Sequence, residues 1–238
     1  MSGESSRPPA ARSGACSLLD LSSRAAATAY AYAIRLDKAK TTGHIDHVPQ
    51  RNLKEQLIDG GSKVLFEKGF HAASVNHIVA AAGVPKGSFY NHFDSKEALA
   101  LEVTARYAGS YRVDQLPAGE GAPLARLRAH FEAIIERTVA RGVELGCLLG
   151  NFSTELAGHS QPISEYVAAS FDQWSAAVAA TLEQAQAVGE LAPSLDTTAL
   201  GAFIVDAYEG AVARAKVSGD PGPLDTFLAT TFDVLLAQ

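Results

Sequence analysis

From Leu53 to the end of the chain, apolar residues recur at intervals of three and four, and no stretch alternates at intervals of two. That is the period of a helix with one buried face. Leu53, Leu57, Gly61, Val64 and Leu65 form a first stripe that Gly69 should end. Val75, Ile78, Val79 and Ala82 form a shorter second stripe, with Ser74 placed to cap its start and Gly83 to end it in a left-handed conformation. His77 stands where Glu or Gln would complete a reciprocal cap, so that cap is expected to be incomplete. Pro85 suits the first turn of a third helix, and Phe89 and Phe93, four apart, should fasten one side of that helix in a core. Ser95 caps a fourth helix with Glu97 in its first turn, carrying Leu99, Val103 and Tyr107 toward Tyr111.

After a break between Pro117 and Pro123 the same period continues. Residues 123–141 hold Leu124, Leu127, Phe131, Ile134 and Ile135, and residues 147–157 hold Leu148, Leu149, Phe152 and Leu156. Residues 162–189 hold Ile163, Tyr166, Val167, Phe171, Trp174, Val178 and Leu182; residues 196–217 hold Leu200, Phe203, Ile204, Tyr208 and Val212. Residues 222–237 end the pattern with Leu224, Phe227, Leu228, Phe232 and Leu235. The fold class expected is all-α. Three parts follow: an extension, 1–48, expected to be partly disordered; a helix-turn-helix unit, 49–95, with the motif at 74–93; and a larger helical domain, 96–238. The fourth helix leaves the first unit and enters the second, a lever between them.

The outer side of the third helix carries the chemistry. Gly87, Tyr90, Asn91 and Asp94 fall opposite the phenylalanines, flanked by Lys86, Ser88 and His92. Gly87 lets the helix start approach a phosphate or base edge, Lys86 brings charge, and Ser88, Tyr90 and His92 can donate to phosphates. Asn91 can make the paired bond to adenine in a major groove. Lys54, Ser74 and Lys96 complete the candidate DNA contacts, Lys96 as a phosphate ligand. A hairpin that only packs has no need of this polar set on its exposed face. Net charge is −6 for the 238 residues, which alone argues against nucleic acid. Its distribution argues the other way: residues 1–96 hold 12 Lys and Arg against 8 Asp and Glu, while residues 97–238 hold 8 against 18. The basic part contains the motif, and the acidic part should face away from a duplex.

The runs LIDGGSKVLFEKGFHAASV and AAGVPKGSFYNHFDSKEAL, between Leu53 and about Leu101, resemble the DNA-binding domain of the TetR family of bacterial regulators. Pro85, His77 and Val79 depart from the commoner residues of that family. Further on, PLARLR at Pro123–Arg128, GCLLGN at Gly146–Asn151 and EGAVARAK at Glu209–Lys216 resemble a branch whose C-terminal domain binds small reactive or unsaturated metabolites. The resemblance implies a homodimer built from the last two helices. Gly201, Ala202, Gly210, Ala211 and Ala213, beside Phe203, Phe227 and Phe232, fit such close packing. It also implies a repressor that leaves a palindromic operator when a small molecule occupies the second domain, with activation and redox or electrophile sensing through Cys147 as alternatives.

Apolar interhelical pockets with few polar groups are the usual ligand sites. The candidates are His130, Ile134, Cys147, Asn151, Phe152, Glu155, Phe171, Trp174 and Tyr208, and for each aromatic the competing reading is plain core. Asn151 and Glu155 share a face and either meet a ligand or face solvent. Cys147 lies near a helix start, where the dipole favours thiolate, and Lys216 would favour it further if close. The competing reading is a small buried hydrophobe.

Nothing in the chain matches a nucleophile elbow, a phosphate-binding loop, a dinucleotide fingerprint or a zinc-binding helix, so neither enzyme activity nor a cofactor is expected. Cys16 and Cys147 make no disulfide framework, and no apolar run approaches the length of a membrane span. The N-terminus lacks a sustained apolar stretch of the signal-peptide kind, so a cytoplasmic location is expected. His44, Asp46 and His47 read as a solvated linker rather than metal ligands. An arm with several arginines could add sequence-independent phosphate contacts.

Overall fold

In the computed structural model, which describes residues 51–237, the stripes become helices in the expected order. They are α1 (Arg51–Ala72), α2 (Val75–Ala82), α3 (Lys86–Tyr90), α4 (Lys96–Gly109), α5 (Pro123–Arg141), α6 (Leu148–Glu155), α7 (Gln161–Ala187), α8 (Thr197–Ser218) and α9 (Gly222–Thr230). Short 3₁₀ turns stand at Val113–Gln115 and Val143–Leu145, and α9 opens into π geometry at Thr231–Leu235. No strand occurs among the described residues, and none of their helices is long and apolar enough to cross a membrane. The expectations for residues 1–48, including His44 and His47, fall outside the described residues.

Leu57 and Ile58 of α1, Ile78 of α2, Phe89 of α3 and Leu99 of α4 are fully buried against one another. Two glycines let α1 come close. A Cβ on Gly60 would lie 2.6 Å from the backbone nitrogen of Ala82, and one on Gly61 2.5 Å from Leu99 Cδ2. Across the surface, Arg106 of α4 pairs with Glu55 and with Asp59 (3.2 Å), and Lys54 with Glu102 (3.0 Å). These are exposed pairs, worth at most about 1 kcal/mol each.

Local details correct the sequence reading in three places. The reciprocal cap of α2 is complete: Ser74 Oγ accepts from the His77 N–H (3.1 Å), and His77 Nδ1 accepts from the Ser74 N–H (3.3 Å). An imidazole nitrogen reaches back as a Glu carboxylate would. Pro85 precedes α3 rather than opening it, with φ −61° and an extended ψ of 144°. And α3 stops at Tyr90, so Phe93 lies beyond it; its N–H still reaches the Phe89 carbonyl at 2.9 Å, which keeps the two rings 5.7 Å apart.

The second half is built around an aromatic column. Phe131 of α5 stacks on Trp174 of α7 at 5.7 Å and meets Phe227 of α9 at 5.2 Å, while Tyr208 of α8 sits 5.4 Å from Trp174. Such edge and offset contacts add to the burial of the rings themselves. Gly201, expected at a dimer surface, serves this interior instead. A Cβ there would lie 2.7 Å from the Ser175 carbonyl oxygen and 2.9 Å from the Ala179 nitrogen, so it sets the approach of α7 and α8. Phe227 and Phe232 are likewise buried within the protomer, while Phe203 is 57% exposed.

Candidate nucleic-acid interface and interior site

Burial of Phe89 and Phe93 turns the rest of α3 outward. Lys86, Gly87, Tyr90 and Asn91 are exposed, as is Asp94 just beyond, and Ser88 and His92 are half-buried. Nothing lies within 4 Å of the place a Gly87 Cβ would take, so the start of α3 is open to close approach. The Tyr90 ring meets that of Phe89 edge to face, with centres 5.2 Å apart, and stays 54% exposed. Burial, and then the charge of Lys54, hold His92 below its ordinary value, so at neutral pH it offers a neutral N–H rather than a cation. Ser74 accepts the capping bond and keeps its own O–H to donate.

Lys96 is placed differently from its expected phosphate role. Its ammonium donates to the carbonyls of Phe70 (2.6 Å) and Ala73 (2.7 Å) and lies 4.2 Å from the centre of the Phe70 ring. It ties the start of α4 to the end of α1, because the last carbonyls of a helix have no partner within it.

Glu155 is half-buried and is engaged by the protein's own backbone. Its carboxylate accepts from the N–H of Phe70 (2.9 Å) and of His71 (2.7 Å). Those two donors converge because Gly69 turns the chain with φ 72° and ψ 178°, a conformation suited to glycine. Phe152, one turn back on α6, is buried with its ring 6.4 Å from that of Phe70. In the turn after α6, His159 meets the His71 ring at 5.7 Å, and Ser160 donates to Glu97 at the start of α4. The end of α6 thus holds the end of α1 and the start of α4 together.

The other interior candidates divide as follows. Ile134 and Tyr208 are fully buried, and Phe171 is half-buried. Trp174 donates its indole N–H to His130 Nε2 at 3.0 Å. Burial, and then Arg137, bring His130 down to about 4, so it is neutral and free to accept that bond. Asn151 donates to the Leu145 carbonyl (2.9 Å) and accepts from Lys216 Nζ (2.6 Å), so both ends of its amide are engaged. A cleft of about 140 Å³ opens between the end of α4 and α7, bordered by Tyr111, Arg112, Leu149, Ser170 and Trp174. Of the ligand candidates, Trp174 alone borders it.

Cys147 caps α6 but is not poised as a thiolate. It is buried, and burial pushes the thiol up to about 12, with Glu209 adding to the rise and hydrogen bonding opposing it. Lys216 does approach, but its ammonium is directed to Asn151. The helix dipole is outweighed because a buried thiolate would lose its hydration.

Around Cys147 lies a polar group of which only Tyr208 was among the candidates read from the sequence. Tyr107 and Tyr111 share a hydroxyl bond of 2.7 Å, and Tyr111 lies 3.5 Å from the Cys147 sulfur. Tyr208 Oη, Glu209 Oε1 and Arg141 Nε are buried without partners among the described residues. One signal was available. Glu209 falls four after Val205 and three before Val212, a carboxylate on the buried stripe of α8. Among the described residues, no group of three or more His, Cys, Asp or Glu side chains is arranged to hold a metal ion.

Two family models match the chain. One, described as bacterial regulatory proteins, tetR family, covers residues 57–103; the other, described as tetracyclin repressor-like, C-terminal domain, covers residues 123–231. The transcriptional repressor DhaR of Mycobacterium sp. (strain GP1) is 35% identical over 187 residues, 77% of this chain and 92% of that protein. The transcriptional regulator AcuR of Cereibacter sphaeroides is 36% identical over 187 residues, 76% of this chain and 85% of that protein. A crystal structure of a regulatory protein TetR from Rhodobacter sphaeroides superposes with a TM-score of 0.70 at 34% identity, covering 76% of this chain and 96% of that one. With both halves matched, and with α3 turning its polar side outward from a buried anchor, this chain belongs to the TetR family of bacterial regulatory proteins.

Proposed function

We propose that the protein is a ligand-responsive transcriptional repressor. As a homodimer it binds a palindromic operator in the cytoplasm and leaves it when a small molecule enters the second domain. The observation that carries this reading is the outward row of Gly87 and Tyr90 on α3 and Asn91 at its C-terminal cap, opposite Phe89, which is fully buried. Lys86 adds positive charge beside it, Lys54 being paired with Glu102 (3.0 Å), and Ser88, His92 and Ser74 add donors. Repression rather than activation is supported by the relative DhaR, a transcriptional repressor. Two copies of α3, one per protomer, would enter major grooves about one helical turn or somewhat more apart. The dimer would form on α8 and α9, where Phe203 (57% exposed) and Val234 (67%) stand out from the surface.

Release follows from differential binding. A ligand that moves the operator from mostly occupied to mostly free must favour the released form by roughly 3–5 kcal/mol. The cleft beside Trp174 leads toward α4, and α6 joins the interior to α1 through Glu155. Thiolate sensing at Cys147 is disfavoured, because burial pushes the thiol up to about 12.

The experiment is binding of the purified chain to palindromes from the region upstream of its own gene, by fluorescence anisotropy over a range of salt. A tight, salt-dependent complex of two protomers per palindrome is expected, together with repression of a reporter in cells. Failure to prefer any palindrome over random duplex at low salt would overturn the reading, and activation of the reporter would reverse its sign.

A further inference from the structure

The buried polar atoms left without partners gather at one end of α6. Glu209 reaches in from α8, and its Oε2 lies 2.5 Å from the place a Gly150 Cβ would take. The carboxyl is therefore seated on the first turn of α6, at a position that only glycine leaves open. Its Oε1 is buried and has no partner. The residue as a whole is half-buried, with exposed Asp206 and Gly210 near it on α8, so water is a short side-chain swing away.

The titratable groups around this carboxyl are Cys147 at the start of α6, Tyr111 beyond α4, and Tyr208 and Asp206 on α8. None can serve as a counter-ion. Of the cations on nearby elements, Lys216 Nζ donates to Asn151, and Arg141 donates through Nη2 to the Gly146 carbonyl with its guanidinium 4.4 Å from the centre of the Phe66 ring; its Nε is buried and makes no bond to Glu209. A buried anion without a counter-ion is costly, so ionisation favours withdrawal of the side chain to water.

At its other end α6 is bolted to the DNA-binding unit by Glu155. The helix has eight residues, a stiff strut of about 12 Å. We propose that Glu209 is a proton-binding pin. When neutral it seats α8 on Gly150; when ionised it withdraws and frees the start of the strut that Glu155 ties to α1, lowering affinity for DNA. The last step rests on the operator-binding reading above; the proton site does not.

Burial pushes the carboxyl up to about 7, against a hydrogen bond from Cys147 and with a push from Asp206. The seated form therefore prevails below that pH and the withdrawn form above it. Trp174 is the only tryptophan of the chain, and it lies 4.9 Å from the Tyr111 ring and 5.4 Å from the Tyr208 ring. Its fluorescence should read the cluster directly. Its partner His130 titrates near 4, away from the transition sought.

The test follows Trp174 fluorescence and operator affinity of the full chain from pH 5.5 to 8.5. Both are expected to change with a midpoint near 7, affinity falling several-fold on the alkaline side. Glu209→Gln keeps the size of the side chain and should hold the acidic-side signal throughout. Gly150→Ala displaces the carboxyl and should show the alkaline-side signal throughout. Glu155→Ala should keep the fluorescence transition and lose the matching change in affinity. A Glu209→Gln protein that titrates like the parent overturns the proposal. A chain that binds no duplex yet shows the Glu209-dependent fluorescence step upholds the proton site and sinks the repressor reading.

Discussion

Replacing Glu155 by alanine tests how the two halves of the protein are joined. The carboxylate accepts two backbone N–H bonds, from Phe70 at 2.9 Å and His71 at 2.7 Å. A hydrogen bond to a charged group contributes about 1.5–3 kcal/mol when its loss leaves the partner dry. His71 is exposed, so water replaces the carboxylate there at little cost, whereas Phe70 is half-buried and its N–H is poorly served. The pair is therefore worth about 2 kcal/mol rather than the sum of two such bonds. For a chain of this size, that lowers the midpoint of thermal unfolding by about 4–8 °C. Hydrogen exchange localises the effect: the Phe70 and His71 amides should lose protection by about 30-fold, with smaller changes at Leu57 and Phe89. Glu155→Gln keeps one acceptor oxygen and should lose about half as much. Unchanged exchange at Phe70 and His71 in the alanine variant would refute the junction, whatever the midpoint does.

Asn91→Ala should relax base choice at one operator position by about 1–3 kcal/mol, whereas Lys86→Ala should weaken all duplexes alike and lower the salt slope by about one. Binding to a panel of single-base operator variants at two salt concentrations separates these outcomes. Phe89→Ala, at a side chain with no exposure, should cost about 3–5 kcal/mol and abolish DNA binding through loss of α3; denaturant unfolding measures it. His130 is held down to about 4 from 6.5, so the neutral form is the folded one. Its contribution is present above about pH 6.5 and is lost as pH falls toward 4, about 3 kcal/mol in all. His130→Gln keeps an acceptor for Trp174 and should flatten that acid limb of the stability curve.

The all-α architecture and the helix-turn-helix were legible because both rest on local rules. A 3.6-residue apolar period, with Ser74, Ser95 and Ser160 before three of the stripes and Gly83, Gly142 and Gly219 after three of them, marks helices wherever they end up in space. The outward row on α3 follows from the same spacing once Phe89 and Phe93 are assigned to the core. Partner choice was not legible. Lys96, Asn151 and Glu155 each looked available for DNA, ligand or solvent, and each is engaged by groups 23 to 85 residues away. Gly201, Phe227 and Phe232 looked like dimer surface and were taken by the protomer's own interior. The Cys147 thiol shows the reason most plainly. Its place at a helix start is written in the sequence and argues for a thiolate, while its state is decided by the removal of water. Burial and the company of Tyr111 and Glu209 arise from how α4, α6 and α8 meet, and desolvation outweighs the helix dipole. Sequence alone determines which residues share a helix face; only the tertiary packing decides which of them keep their water, and that sets both charge and partner.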